Sequence, residues 1–479
     1  VSQETSAGET STRTPAPSDG LPVPDRYWAM AASLLGIAVS VIDSSIVNLA
    51  LPDITRDLGA SASASVWVVT AYQLAILGLL LPFAGLGERL GYRRVYLGGL
   101  GLFTLSSLAC AAAVNLPMLI TSRAVQGIGA AGMMAVNAAL VRLIYPARML
   151  GRGIALNSVV VATSSVAGPS VAAAVLSVAS WPWLFAVNLP LGLLVLWLGR
   201  RSLPHSARHA AGPLRLADAA LNILMFSLVF LGADTIGARG GAERASVPAS
   251  LGIVLLAAGI AVGVFYVRRQ LAQPRPLFPV DLLRIPVFAL SMCTSVTAFA
   301  AQTLAYVALP FLLLESQGRT HLQAGLVITA WPLGTVCLAP VAGRLISRYP
   351  GGLLGGIGLG LMAFGLAALA VLPAQPSALD MAWRLVLCGA GFGLFQSPNN
   401  HTIITSAPIT RAGAASGMLG SARLTGQSAG AVMVGVIFGV LGVSDGRGPA
   451  IALAAAALLA GSAAVFSSLR LRHGTKRDS

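Results

Sequence analysis

Two residues draw attention because of the company they keep. Asp43 interrupts the apolar run Val41-Ile-Asp43-Ser-Ser-Ile-Val-Asn48-Leu-Ala-Leu-Pro52, and Arg123 interrupts Leu119-Ile-Thr-Ser-Arg123-Ala-Val-Gln126-Gly127. Burial disfavours the charged form of a carboxylate, and a nearby cation favours it. An acid held between those influences loads and releases a proton as its access to water changes. A guanidinium keeps its proton, so Arg123 acts as a fixed charge that biases a carboxylate or orders a polar network. Arg423 lies in similar apolar surroundings further along the chain. Glu315 closes another apolar run and is either an interfacial acid or a substrate contact.

The setting gives these charges their weight. The chain has 479 residues, 56% of them hydrophobic, and a mean hydropathy of +0.80. Only 10% are charged, against about 25% in ordinary soluble domains, too few to cover a surface facing water. The net charge of +15 comes from 31 Lys and Arg against 16 Asp and Glu. These basic residues are scattered between apolar runs and form no patch that tracks phosphates, which excludes nucleic acid as a partner. The chain belongs in a lipid bilayer, where an ionisable residue within a span is costly and marks a functional candidate.

The elements that position these residues are membrane helices. Apolar runs of the ~20 residues that cross a bilayer are predicted at 28–51, 66–87, 95–114, 117–141, 153–178, 183–199, 216–236, 248–267, 286–314, 322–345, 353–373, 381–405, 413–441 and 450–469. Fourteen crossings leave both termini on one side. With the termini inside, cytoplasmic segments hold 23 of the 31 Lys and Arg, external loops 6 and spans 2, the asymmetry of the positive-inside rule. Residues 1–27 read as a disordered cytoplasmic tail rich in Ser, Thr, Gly and Pro, and no signal peptide is visible. Residues 470–479 read as a second cytoplasmic tail.

An offset of 259 residues recurs. Ala84-Gly-Leu-Gly-Glu88-Arg89 is echoed by Gly343-Arg-Leu-Ile-Ser347-Arg348, and Arg152 in Gly-Arg-Gly-Ile-Ala by Arg411 in Arg-Ala-Gly-Ala-Ala. Residues 28–200 and 286–469 are therefore expected to form related six-helix bundles, with two inserted helices within 201–285. Paired halves of this kind place a substrate site at their interface near the midplane. Candidate cavity residues are Asn48, Trp67, Tyr72, Gln73, Gln126, Asn137, Asn157, Asn399 and Asn400, together with Glu315 and Arg423. Each amide or aromatic among them is either a cavity contact or a helix–helix hydrogen bond. Glu88, Arg89, Arg93 and Arg94 share one short loop, as a solvated face or as a charge cluster that locks helices.

Other chemistries are not supported. A P-loop needs a lysine after its glycines, and Lys476, in the tail, is the only one in the chain; no ATP is expected. Gly127-Ile-Gly129-Ala-Ala-Gly132 matches a dinucleotide spacing but lies within a span with no strand before it, and reads as close helix packing. Cys110, Cys293, Cys337 and Cys388 are isolated and the five histidines scattered, so no disulfide, metal or cofactor is expected.

On these residues the chain resembles the major facilitator superfamily, in its 14-helix drug:proton antiporter branch, from about residue 28 to 470. Asp43 to Pro52 is similar to the branch's first-helix motif, and Leu119 to Gly129 to its fourth-helix motif. Gly168-Pro169 resembles the core of its antiporter motif, and Trp183-Leu-Phe185-Ala-Val-Asn188-Leu-Pro190-Leu-Gly192 its sixth-helix opening. Gln396-Ser-Pro398-Asn399-Asn400 and Arg411…Gly417…Arg423…Gly426 resemble its later helices. The resemblance implies an all-α integral membrane protein of two six-helix bundles plus two inserted helices. It also implies export of amphipathic small molecules, drugs and antibiotics among them, in exchange for protons. Asp43 would be the coupling acid, Arg123 would assist proton transfer, and Glu88 with its neighbouring arginines would form a gating loop. A monomer in a bacterial cytoplasmic membrane is expected. Ala84, Glu88 and Tyr92 depart from the family's loop motif, and Ala172-Ala173 replaces a Gly-Gly. No acid lies between Glu315 and Asp380, which disfavours dications and favours monocationic or neutral lipophilic compounds. The alternative is a proton-coupled symporter importing a nutrient or metabolite, against which Gly168-Pro169 and the helix insertion count.

Overall fold

The computed structural model describes residues 20–146, 149–205, 216–237, 249–272, 280–346, 348–373, 376–408, 411–443 and 445–474. Those residues are helical or in short connections, with no strand among them. The membrane-length helices are α1 (Asp25–Asp57), α2 (Trp67–Leu90), α3 (Tyr92–Ala111), α4 (Leu116–Ile144), α5 (Leu150–Leu176), α6 (Asn188–Ser202) and α7 (Leu216–Gly237). They continue as α8 (Ala249–Leu271), α9 (Pro286–Pro310), α10 (His321–Leu345), α11 (Gly351–Ala370), α12 (Ala378–Ser406), α13 (Ala412–Leu441) and α14 (Arg447–Gly474). Among the described residues thirteen spans are long and apolar enough to cross a bilayer, α2 and α6 being lengthened by the short helices Ala62–Ser65 and Pro182–Ala186; the apolar run of α7, Ala217–Ala233, is shorter. In hydrocarbon every backbone N–H and C=O must be satisfied within the segment, and uninterrupted helix does this.

The sequence also supplies the starts and stops. Asn115 caps α4 by accepting the Met118 N–H at 2.9 Å, Ser377 caps α12 by accepting from Asp380 at 3.0 Å, and Thr320 with Gln323 forms a capping box on α10. Gly91, at φ +94°, makes the tight break between α2 and α3.

Two helices run into the expected tails. α1 continues through Pro52 to Asp57, and it begins at Asp25, inside the expected tail. α14 continues to Gly474, so residues 470–474 are helix rather than tail. Within this extension Arg470 turns inward and is buried. The segment 238–248 between α7 and α8, residues 1–19 and Ser347 of the repeat lie outside the described residues.

The two sets of six helices pack by the same scheme. In the first, α1 lies against α5 and α6, α2 against α4, and α3 against α4 and α6. In the second, α9 lies against α13 and α14, α10 against α12, and α11 against α12 and α14. The seams between the sets also correspond: α5 meets α10, and α2 meets α13. The inserted α7 packs on α2 and α13 with α8 outside it, fastened by Asn222 donating to the Gly78 carbonyl at 3.1 Å.

The glycines of 127–132 are what lets α4 pack so closely. A Cβ on Gly127 would sit 2.5 Å from the Tyr72 carbonyl of α2, and one on Gly129 2.5 Å from the Phe103 nitrogen of α3. The dinucleotide-like spacing is thus a packing device, with backbone against backbone on both sides.

Candidate functional site

Asp43 and Arg123 meet. Both are fully buried, and Arg123 Nη1 lies 2.7 Å from Asp43 Oδ2. The other carboxylate oxygen, Oδ1, accepts from Gln126 Nε2 at 3.0 Å and from Asn188 Nδ2 at 2.6 Å. Gln126 Nε2 also donates to Ser107 Oγ at 2.8 Å. Arg123 Nε donates to the Val68 carbonyl at 3.1 Å. One carboxylate therefore ties α1, α3, α4 and α6, with the backbone of α2 held through the arginine. Such a pair is favourable in a low-dielectric interior only because neighbouring hydrogen bonds satisfy the remaining lone pairs and protons. Removing the charge from Asp43 would take from Arg123 its carboxylate partner at the centre of this network.

Tyr72 connects this network to open space. Its ring lies under the Arg123 guanidinium, 4.1 Å from centroid to Cζ, a cation–π contact. Its hydroxyl is 3.2 Å from Ser40 Oγ. Tyr72 and Ser40 both line a central cavity of about 190 Å³ between the two halves. That is smaller than the roughly 300–1,000 Å³ that encloses a drug-sized ligand, so a ligand of that size needs the halves to part. Asn48 and Gln73 face the cavity from the first half, Gln302 and Arg423 from the second. No acidic residue is among those lining it.

Gly168 and Pro169 stand where α5 meets α1 and α10. A Cβ on Gly168 would run into Ser45 of α1, and Pro169 lines the cavity. On the other side of this seam, Ser170 Oγ is 2.9 Å from Thr329 Oγ1, and Gly325 of α10 rests on Ala173. The seam is fastened toward the face opposite the termini, where His321 Nε2 also lies 2.6 Å from Asp53 Oδ2.

Among the expected cavity residues, Asn48, Tyr72, Gln73 and Arg423 line it; the others do not. Gln126 belongs to the Asp43 network. Asn137 is consumed in a chain across the first half, accepting from Ser33 at 2.7 Å and donating to Asn157 at 3.0 Å. Asn399 donates to Ser295 at 2.7 Å and accepts from Arg470 at 2.7 Å. These three asparagines are helix–helix hydrogen bonds. Trp67 is half-buried at the start of α2, Asn400 is half-buried on α12, and Glu315 is exposed at the end of the helical turn Phe311–Ser316. In the loop after α2, Arg93 binds His205 and the Arg200 carbonyl, tying α3 to the end of α6. Glu88 and Arg94 are exposed and Arg89 is partly buried.

Sequence reasoning passed over Ser107 and Asn188 as site residues. Asn188 had a signal, as the polar position of the sixth-helix motif; Ser107 had none, since serines are common in membrane helices. Arg470 was masked by its place at the end of a span, where a snorkelling side chain is the ordinary expectation.

Two related six-helix halves, a cavity at their interface and a buried charge network beside it define a secondary transporter. The family model of the Major Facilitator Superfamily matches residues 33–431, and the chain belongs to that superfamily, in its drug-efflux branch. It is 50% identical over 461 residues, 96% of this chain and 99% of the relative, to the uncharacterized transporter YebQ of Escherichia coli K12. It is 29% identical to the riboflavin transporter RibZ of Clostridioides difficile, covering 81% of this chain and 83% of RibZ. It is also 29% identical to the multidrug efflux pump LfrA of Mycolicibacterium smegmatis, covering 93% and 88%. The protein is a transporter and not an enzyme.

Proposed function

We propose that this chain exports amphipathic small molecules in exchange for protons by alternating access. It works as a monomer in a bacterial cytoplasmic membrane with both termini inside. The observation that carries this reading is the shared position of Tyr72, which lines the cavity and stacks on Arg123, the partner of Asp43. A ligand packed against Tyr72 holds its ring on Arg123 and keeps the ion pair, whereas a proton on Asp43 frees Arg123 and, through it, Tyr72. Substrate and proton thus compete for one arrangement of side chains, which is the requirement for exchange.

With the termini inside, the Asp53–His321 contact and the α5–α10 seam close the external end. In that state Asp43 is deprotonated and paired. Opening to the outside admits water, Asp43 takes a proton, and the substrate leaves. Return to the inward state delivers the proton to the cytoplasm. Gly168-Pro169 supports exchange over symport, because the missing backbone donor and the absent Cβ let α5 bend on α1. The second reading, proton-coupled symport of a metabolite, draws on the similarity to a protein named as a riboflavin transporter.

Everted membrane vesicles distinguish the two. With a panel of cationic, neutral and anionic compounds, antiport gives substrate-dependent proton release from acid-loaded vesicles, and Asp43→Asn abolishes it at normal expression. Proton and substrate moving in the same direction would establish symport instead.

A further inference from the structure

We propose that the central cavity binds amphipathic organic anions, with Arg423 as the residue that receives the carboxylate or phenolate. The inference rests on this cavity being the transport site, and goes beyond it by assigning the charge of the substrate.

Arg423, partly buried with its Nε enclosed, differs from the chain's other inward-reaching arginines. Arg123 is paired with Asp43. Arg269 reaches Asp218 at 2.6 Å. Arg470 is satisfied by Asn399 Oδ1 at 2.7 Å, Ser291 Oγ at 3.0 Å and Ser467. Arg423 has no hydrogen bond or ion pair among the described residues, and its Nε is buried without a partner. It faces the cavity from α13, and no carboxylate lines that space to neutralise it. An unpaired charge away from water is strongly unfavourable, so a guanidinium kept in this position is complementary to a ligand that brings the opposite charge.

The neighbouring groups sharpen the ligand's chemistry. Asn48 Oδ1 and Gln73 Oε1 line the same cavity and are also buried without partners. Each amide retains an acceptor for a hydroxyl or N–H of the ligand. Tyr72 and Tyr306 supply aromatic walls from the two halves. The fitting ligand is a planar or aromatic body with one acidic group toward α13 and a hydrogen-bond donor toward α1 and α2. This reverses the preference for monocations expected from the sequence: the missing acid disfavours cations altogether, and the free guanidinium selects against them.

The test measures equilibrium binding to the purified full chain in lipid nanodiscs by fluorescence anisotropy. Fluorescein is the anionic aromatic probe, and ethidium the cationic probe. Fluorescein is expected to bind the wild type more tightly than ethidium does. Arg423→Gln should weaken fluorescein about ten-fold or more, the worth of a charge-assisted hydrogen bond, and strengthen ethidium. Arg423→Lys should recover most of the fluorescein affinity. The melting temperature of Arg423→Gln should hold or rise, since an unpaired charge is removed from the cavity wall. Absent fluorescein binding, tighter ethidium binding by the wild type, or a fluorescein affinity indifferent to Arg423→Gln overturns the assignment. Because binding needs no proton gradient, these outcomes are separate from the vesicle assay. Proton-coupled efflux of ethidium would leave export standing and sink the anion site; anion binding without proton exchange would do the reverse.

Discussion

Replacing Asp43 with Asn is the most informative perturbation of this protein. The side chain keeps its shape, and Asn188 and Gln126 still find an acceptor oxygen, but Arg123 loses the carboxylate 2.7 Å away. Its remaining acceptors are Gln126 Oε1 at 2.5 Å and the Val68 carbonyl at 3.1 Å. Breaking a fully buried pair from one side costs about 3–5 kcal/mol, equivalent to roughly two to four decades in an equilibrium constant. In the proposed cycle the same energy is what a proton on Asp43 releases, so Asn would hold the network permanently in its loosened state. Substrate-driven proton movement in everted vesicles, followed with a pH-sensitive dye, should fall to the background of empty vesicles. A stability loss alone gives the same reading, and the double variant Asp43→Asn/Arg123→Gln separates the two. Removing both charges should restore most of the melting temperature, since neither charge is then left buried without its partner, without restoring proton movement. Normal antiport in Asp43→Asn, or recovery of antiport in the double variant, would refute the assignment of coupling to this carboxylate.

Three further outcomes follow from the geometry. Tyr72→Ala should remove the cation–π contact, worth about 0.5–2 kcal/mol, and uncouple substrate binding from proton release in the vesicle assay. Tyr72→Phe, which keeps the ring on Arg123 and loses only the approach to Ser40, should behave nearly as wild type. Gly129→Ala forces a methyl between Phe103 and Gly99 of α3 and should lower stability by about 1–3 kcal/mol, seen as a reduced melting temperature in detergent. At a pH low enough to protonate His321, Asp53→Asn removes its carboxylate partner 2.6 Å away, a part-exposed pair worth about 0.5–1 kcal/mol. It should therefore speed labelling of a cysteine placed at Ser44 about two- to five-fold by an impermeant maleimide on the face opposite the termini. The exposed Cys293 and Cys337 are replaced by Ser for that measurement.

What the sequence reveals and what it conceals divide along a physical line. Hydropathy locates helices because a span must be apolar along its length, and it exposes Asp43 and Arg123 because a charge there is rare. It also disqualifies Gly127-Ile-Gly129-Ala-Ala-Gly132 as a nucleotide loop, since no strand precedes it. Hydropathy does not say which way a polar side chain points. A helix that is apolar on every side has little amphipathic signal to orient it, so Asn137 and Asn399 look the same on paper as Asn48. In the fold, Asn137 and Asn399 are bound to Asn157 and Arg470, and Asn48 is left facing the cavity. Arg470 shows the same limit at a helix end, where the choice between an inward turn and snorkelling is made by Ser291, Asn399 and Ser467 on three different helices.

The free guanidinium of Arg423 has an electrical consequence. If one proton enters on Asp43 as one monoanion leaves, each turnover moves two positive charges' worth inward. At about 2.3 kcal/mol per charge per 100 mV, an inside-negative potential then supplies about 4.6 kcal/mol, enough to sustain a roughly 2,000-fold gradient of the substrate. A monocation leaving by the same route would make the exchange electroneutral, and the potential would contribute nothing. Under the proposed exchange, one unpaired arginine would decide whether transport runs chiefly on voltage or only on the difference in pH. Collapsing the potential with valinomycin and potassium should therefore slow it far more than collapsing the pH gradient with nigericin.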